Sequence, residues 1–337
     1  MLKILKEAEV AGNRVILRAD LDVPLEDGKV GEDYRLKALL PTLSYLLERN
    51  AEIIIIGHLG RPDGKENPDF SLKPVSTRLS ELLGKSIDFL PQITPNPSGL
   101  IPKLAMLDNL RFWEGEESND PDFAKKLSSL GDIYVNDAFA ASHRAHASIA
   151  GIPELLPSYA GLRLEEEISH LSGVIENPER PLVFILGGAK TETKAPLVPA
   201  FAKVADQVLI GGLLMFDHSL EKISRTVFPV DAVETFDVGP ESVKKFTQII
   251  KDAKTVVWNG PMGKWEDNRY ELGTRAIAEV LAESPAKTIV GGGDTIAALS
   301  AFGLLEKMKY VSMGGGAMLE FLAGKKLPGL SALGYQA

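Results

Sequence analysis

Leu182-Val183-Phe184-Ile185-Leu186-Gly187-Gly188-Ala189-Lys190 is an apolar run that breaks into a glycine pair and ends on a lysine. A short, bulky run without polar alternation suits a parallel strand covered on both faces. The glycines predict a turn whose backbone can approach a phosphate closely. Lys190 and Lys194 place two positive charges one helical turn apart just beyond it. The spacing is not the P-loop pattern of glycine, four residues, glycine, lysine and then Ser or Thr. Any nucleotide phosphate is held here by another design.

Working outward, similar runs stand at 14–18, 53–56, 133–135, 207–210, 255–258 and 288–290. Helix-like periodicity lies between many of them, at 36–49, 76–83, 241–253 and 274–283. This alternation reads as α/β, with two doubly wound parallel-sheet, Rossmann-like domains joined by a hinge helix. A length of 337 residues also favours two domains. The expected boundaries are 1–160 for a small-anion domain and 161–175 for a charged amphipathic connecting helix. A nucleotide domain follows at 176–325, with a tail at 326–337 returning to the first domain.

Lys and Arg total 37 against 46 Asp and Glu, a net charge of −9. That balance argues against general nucleic-acid binding but leaves room for a local basic cleft. There is no cysteine, so neither a disulfide framework nor thiolate catalysis is open to the chain. The first seven residues lack the apolar core of a signal peptide, and no apolar stretch approaches the ~20 residues a bilayer requires. A soluble, cytoplasmic protein is expected.

Arg18, Arg35, Arg61, Arg111 and Arg144 fall at or near strand ends, with His58 and His143 beside two of them. One such arginine alone reads as a solvated surface group. Their company, in Gly57-His58-Leu59-Gly60-Arg61-Pro62 and Ser142-His143-Arg144-Ala145-His146, points instead to a shared anion site, because strand-exit loops converge. His143 and His146 stand at i, i+3 near Asp137. This is thin for zinc, and a hydrogen bond to an anion or a structural loop cap fits better. The later strands end in further glycine turns at 211–212, 259–263, 291–295 and 314–317, the last two opening into helices whose amides can face phosphate. Asp294 stays open between a helix N-cap and a ligand for nucleotide-borne Mg²⁺. No turn has the GxGxxG fingerprint of a Rossmann dehydrogenase.

Taken in order, these motifs resemble the phosphoglycerate kinase family. The likeness starts at Arg14-Val15-Ile16-Leu17-Arg18-Ala19-Asp20-Leu21-Asp22-Val23-Pro24. It continues through Tyr34-Arg35, His58-Leu59-Gly60-Arg61-Pro62, Asn109-Leu110-Arg111-Phe112 and Asn136-Asp137-Ala138-Phe139 to His143-Arg144-Ala145-His146. In the second half it runs through 186–190 with Lys194, Asp237-Val238-Gly239-Pro240, Trp258-Asn259-Gly260-Pro261 and Gly292-Gly293-Asp294-Thr295, closing on Gly314-Gly315-Gly316-Ala317 and Leu327-Pro328-Gly329. The resemblance implies reversible phosphoryl transfer from 1,3-bisphosphoglycerate to ADP, giving 3-phosphoglycerate and ATP, in line and after hinge closure. It implies a phosphoglycerate site of Asp20, Asp22, Arg35, His58, Leu59, Gly60, Arg61, Arg111, His143 and Arg144. Its nucleotide site comprises Lys190, Lys194, Gly260, Met262, Glu266, Gly292, Gly293, Asp294 and Thr295. Met262 would touch adenine or ribose, and Glu266 would bond the ribose. Arg35 and Lys190 would stabilise the migrating phosphoryl, Arg18 would help hold the distal anion or serve its strand end, and Asp294 would meet the nucleotide's Mg²⁺. No prosthetic group, nucleic acid or membrane partner is implied, and a monomer is expected.

The chain departs from the family pattern in places. Asp22 stands where an Asn is usual, adding a carboxylate near an anionic substrate. Thr191-Glu192-Thr193 is altered, 211–216 matches the adenine-side helix only in part, and Met313 replaces a usual Thr. The chain is also short for the family, with trimming around 216–222 and 227–238.

Overall fold

The computed structural model describes residues 2–93 and 102–336. The chain forms two compact units, one of Met1–Ile168 with Lys326–Ala337, the other of Ser169–Lys325. The helix Leu162–Glu176 starts in the first and ends in the second.

In the first unit six parallel strands form one sheet: β1 (Arg14–Arg18), β2 (Glu52–Ile56), β3 (Asp88–Leu90), β4 (Leu104–Leu107), β5 (Ile133–Asn136) and β6 (Ser158–Ala160). Their order is β3-β4-β2-β1-β5-β6. Val15, Ile16, Leu17, Ile53, Ile54 and Ile55 are almost wholly buried, as expected for strands covered on both faces. The direction of winding reverses between β1 and β5, which makes the carboxyl ends of those strands a ligand crevice. Helices Tyr34–Glu48 and Lys73–Leu83 agree closely with the periodicity.

The second unit repeats the plan with β7 (Leu182–Leu186), β8 (Gln207–Ile210), β9 (Thr226–Val227), β10 (Thr255–Asn259), β11 (Lys287–Gly291) and β12 (Tyr310–Ser312). Its order, β9-β8-β7-β10-β11-β12, is the Rossmann order, with the reversal between β7 and β10. The opening run is thus β7, at the centre of its sheet, and its glycine turn lies at the switch point.

Sequence reading does not find β3, β4, β6, β9 and β12. Each has two to four residues, and Leu104-Ala105-Met106-Leu107 lacks the β-branched side chains that mark a strand. Among the described residues no helix is long and apolar enough to cross a membrane.

Candidate functional site

At the crevice of the first unit, the basic residues divide into two kinds. Arg18 is fully buried: its Nε donates to the Ser148 hydroxyl (2.9 Å), Nη1 to the Ala19 carbonyl (2.6 Å) and Nη2 to His58 Nδ1 (3.0 Å). Arg111 is nearly buried, donates to the Gly60 carbonyl (2.7 Å) and lies 2.9 Å from a Glu117 oxygen. Both are bonded within the fold. Arg35 is half-buried and Arg61 and Arg144 are exposed. Among the described residues, none of those three side chains carries a hydrogen bond or ion pair.

The loop bearing Leu59, Gly60 and Arg61 is held from both sides. Asp22 Oδ1 accepts the Gly60 N–H (2.9 Å), and Asn109 Nδ2 donates to the Leu59 (2.6 Å) and Phe70 (2.9 Å) carbonyls. The carboxylate at 22 therefore has a donor in the loop it faces, and its charge still acts on Asp20. Burial, reinforced by the positive Arg18 and Arg111, holds His58 well below the usual imidazole value, so it is neutral. Asp20 is nearly buried and its pKa is raised by burial against the pull of Arg35. Its Oδ2 accepts the Ala140 N–H (3.0 Å), whereas Oδ1 is buried without a partner. Burial pushes the pKa of His146 down to about 3, and the neighbouring Arg111, Arg18, Arg144 and His143 act in the same direction, so Arg144 and His143 lie with the cluster.

The metal alternative for His143, His146 and Asp137 does not assemble. Asp137 instead accepts the Arg163 (2.9 Å) and Leu164 (3.0 Å) N–H groups, capping the helix Leu162–Glu176. His146 Nδ1 lies 3.8 Å from buried Glu116. Among the described residues no group of three or more His, Asp or Glu could hold a metal ion. The C-terminal helix Pro328–Ala332 supports this side: Gly329 N–H donates to the Ser142 carbonyl (2.9 Å), next to His143.

In the second unit the switch-point loops lock together through backbone. Gly188 N–H donates to the Pro261 carbonyl (2.7 Å), Gly212 N–H to Met262 (2.8 Å) and Leu213 N–H to Gly188 (3.0 Å). A Cβ on Gly187 would run into the Pro261 carbonyl oxygen, and one on Gly260 into that of Gly187. Gly260 also has φ +96°, which side-chain-bearing residues rarely adopt. These glycines are needed for loop-on-loop packing, a reason independent of phosphate. Lys194, mostly buried, caps the arrangement: its Nζ donates to the Gly187 carbonyl (2.6 Å), with Asn259 O at 3.4 Å. Burial brings its pKa down to about 8. Lys190 is exposed, and among the described residues its side chain has no hydrogen bond or ion pair.

Two helix N-termini complete the site. Helix Gly293–Ala301 makes its first turn with Ile296 N–H to Gly292 O (3.0 Å), leaving the amides of Gly293, Asp294 and Thr295 without intrahelical partners. Helix Gly315–Leu322 begins alongside, close to Gly292. The Asp294 side chain is exposed at the first terminus.

Two of the side chains are closed to a ligand. Met262 is fully buried, its thioether wedged under Gly187 and Gly211, so it offers no side-chain surface to adenine or ribose. Thr295 is buried too, and its hydroxyl accepts the Gly260 N–H (2.7 Å), tying helix to turn. Glu266 is exposed. Apolar surface near the turn comes instead from Leu213 and Phe216, in the stretch that resembles the adenine-side helix only in part, and from Phe236, which sequence reasoning missed: each is more than two-fifths exposed, and the Phe236 carbonyl accepts the Lys264 N–H (2.8 Å). An exposed aromatic beside a glycine turn is the signal that was available.

Arginines at the strand ends of one sheet, and lysines with paired helix N-termini at those of a Rossmann-order sheet, are suited to holding anions. A family profile described as phosphoglycerate kinase matches residues 5–224 and 216–325. A phosphoglycerate kinase of Thermosipho africanus is 41% identical, over 98% of this chain and 97% of its own. That of Coprothermobacter proteolyticus is 40% identical over 98% of both. Solved phosphoglycerate kinases of Coxiella burnetii and Pyrococcus horikoshii superpose with TM-scores of 0.84 and 0.88 at 35% and 30% identity, covering 99% of this chain and 99% and 98% of theirs. The chain belongs to the phosphoglycerate kinase family, whose reaction is reversible glycolytic phosphoryl transfer between 1,3-bisphosphoglycerate and ADP, a phosphotransferase step with a carboxyl group as acceptor. The alignment with the Thermosipho relative runs over 389 positions, more than the 337 residues here, so that relative has residues this chain lacks.

Proposed function

We propose that the first unit holds the phosphoglycerate and the second the nucleotide, with the uncommitted charges serving substrate. The observation that carries this is the division of the basic residues. Arg18, Arg111 and Lys194 have partners inside the fold, while Arg35, Arg61, Arg144 and Lys190 have none among the described residues. Arg61 and Arg144 grip the terminal phosphate, with the His58 ring N–H and the Gly60 loop beside them. Asp20 Oδ1, a buried acceptor without a donor, suits the single hydroxyl of the glycerate. Asp22 and Arg111 shape the loop that carries Arg61, and His143 lines the same side.

Phosphoryl transfer needs positioning and charge neutralisation more than covalent help. Arg35 and Lys190 are the groups assigned to the phosphoryl in flight. The amides of Gly292, Gly293, Asp294 and Thr295 take phosphate oxygens, Lys194, though bonded to the Gly187 carbonyl, adds positive charge beside them, and Gly260 keeps the turn closed. Leu213, Phe216 and Phe236 offer the base an apolar face in place of Met262, and Glu266 reaches the ribose. A Mg²⁺ ion suits exposed Asp294 because it is satisfied by one carboxylate plus phosphate and water oxygens. When bound, it neutralises charge between the nucleotide phosphates.

Acceptor and donor are bound by different units, so transfer requires closure about the connecting helix, which also excludes water from the acyl phosphate. The reading takes the enzyme as a cytoplasmic monomer acting on small molecules, in keeping with its net charge of −9. A coupled assay with 3-phosphoglycerate and MgATP tests it. Turnover supports the assignment, and nucleotide binding without turnover overturns it.

A further inference from the structure

Beneath the anion crevice lies a chain of buried polar groups that ends on His58 and whose deeper members have no role yet assigned. Glu116, in the short helix Glu114–Glu117, is fully buried. Its Oε2 accepts the Ser148 N–H (3.0 Å) and its Oε1 the Ser148 hydroxyl (2.6 Å). With its proton on Glu116, that hydroxyl accepts from Arg18 Nε (2.9 Å), and Arg18 Nη2 reaches His58 Nδ1 (3.0 Å). A guanidinium has donors only. Nδ1 must therefore accept, and the single proton of the neutral ring sits on Nε2, the nitrogen 4.0 Å from Asp22 Oδ2.

We infer that Glu116 is a positioning residue: through Ser148 and Arg18 it holds His58 as the neutral tautomer with its N–H on Nε2, directed at the substrate anion. This rests on the assignment of the crevice to phosphoglycerate. The opposite tautomer would turn a lone pair toward an anion, exchanging an attraction for a repulsion. Glu116 is suited to the task because its charge lies where a buried guanidinium needs an opposite charge. Without it Arg18 would keep Asp20 as an acidic neighbour but lose the carboxylate that orients its Ser148 acceptor, leaving its donors free to redirect. Arg18, Arg35, Arg111, His146 and Asp22 are the charged or titratable groups acting around His58.

The test uses protein labelled with ¹⁵N at histidine, in wild-type, Glu116→Gln and Ser148→Ala forms. Long-range proton–nitrogen correlation spectra report the His58 tautomer from pH 5.5 to 8. Wild type should stay neutral with the proton on Nε2 throughout. Both variants should show mixed tautomers, with the KM for 3-phosphoglycerate raised roughly tenfold, the scale of one misdirected hydrogen bond to a charged group. Their kcat and nucleotide KM should stay within about twofold, a split that general loosening would not produce. Ser148→Ala serves if Glu116→Gln does not fold. A wild type with the proton on Nδ1, or with an ordinarily titrating His58, overturns the inference without any variant. Folded variants that keep the wild-type tautomer and KM overturn it as well. Failure of the underlying assignment looks different: His58 would hold the stated tautomer while wild type failed to turn over 3-phosphoglycerate with MgATP.

Discussion

Lys194 is an ammonium held inside the fold, and raising the pH should move stability and nucleotide affinity in opposite directions. Burial brings its pKa from the usual 10.5 to about 8, against the pull of Asp294 and helped by the charge of Lys190. In the unfolded chain the ordinary value returns. Between about pH 8 and pH 10.5 the unfolded state therefore binds more protons than the folded one, and stability rises with pH. Below that window both states are protonated and the cost of burying the charge is present in full. Above it both are neutral and the cost is gone. A drop from 10.5 to about 8 corresponds to about 3 kcal/mol. The comparison is with Lys194→Met, similar in bulk but without the titrating group, so that contributions common to both proteins cancel. Urea unfolding of both proteins without nucleotide, from pH 7 to 10.5, should show the difference tilting toward wild type by up to about 3 kcal/mol. ADP binding by titration calorimetry should go the other way for wild type, weakening above pH 8 as the charge beside the phosphates is lost. The variant should bind weakly with no such break. A stability difference constant across the window, or wild-type ADP affinity unchanged to pH 9.5, would refute the reasoning.

Three further outcomes are expected. Arg61→Ala should raise the KM for 3-phosphoglycerate about tenfold or more, with unfolding free energy within about 0.5 kcal/mol of wild type because the side chain is exposed; an unchanged KM removes Arg61 from the site. Lys190→Ala should lower kcat by about 10²–10³ and ADP affinity far less, as for a charge used mainly in the transition state. Equal losses in stopped-flow and equilibrium binding would leave it a binding group only. Thr295→Val should strip the acceptor from the buried Gly260 N–H, cost about 1–3 kcal/mol in urea unfolding and raise the KM for nucleotide. An unaltered unfolding curve would show that the tie between helix and turn is dispensable.

Legibility from sequence followed the range over which each feature is determined. The strand 182–186 was readable because five consecutive apolar residues need cover on both faces wherever they lie. Edge strands such as Thr226–Val227 were not, because two residues carry no periodicity. The glycine turns were located correctly, yet the reason for Gly187 and Gly260 was only partly seen, since each meets a loop more than seventy positions away in the chain. Glu116 passed unnoticed because its partner Ser148 and, beyond it, Arg18 share no local pattern with it.

By itself, the sequence determined the inner strands of the two sheets, the order of the motifs and which residue types stand at the strand ends. Those properties follow from local hydrophobic patterning and from glycine's backbone freedom. Only the tertiary structure decided which charges are available to substrate. Arg18 and Arg61 are alike as letters beside a strand, but one is buried against Ser148, 130 positions away, and the other faces solvent. The side chains of Met262 and Thr295 are likewise held inside, by packing and by a hydrogen bond, which leaves Thr295 only its backbone amide to offer. Desolvation and long-range hydrogen bonds make that distinction, and both depend on neighbours that only the folded chain brings near.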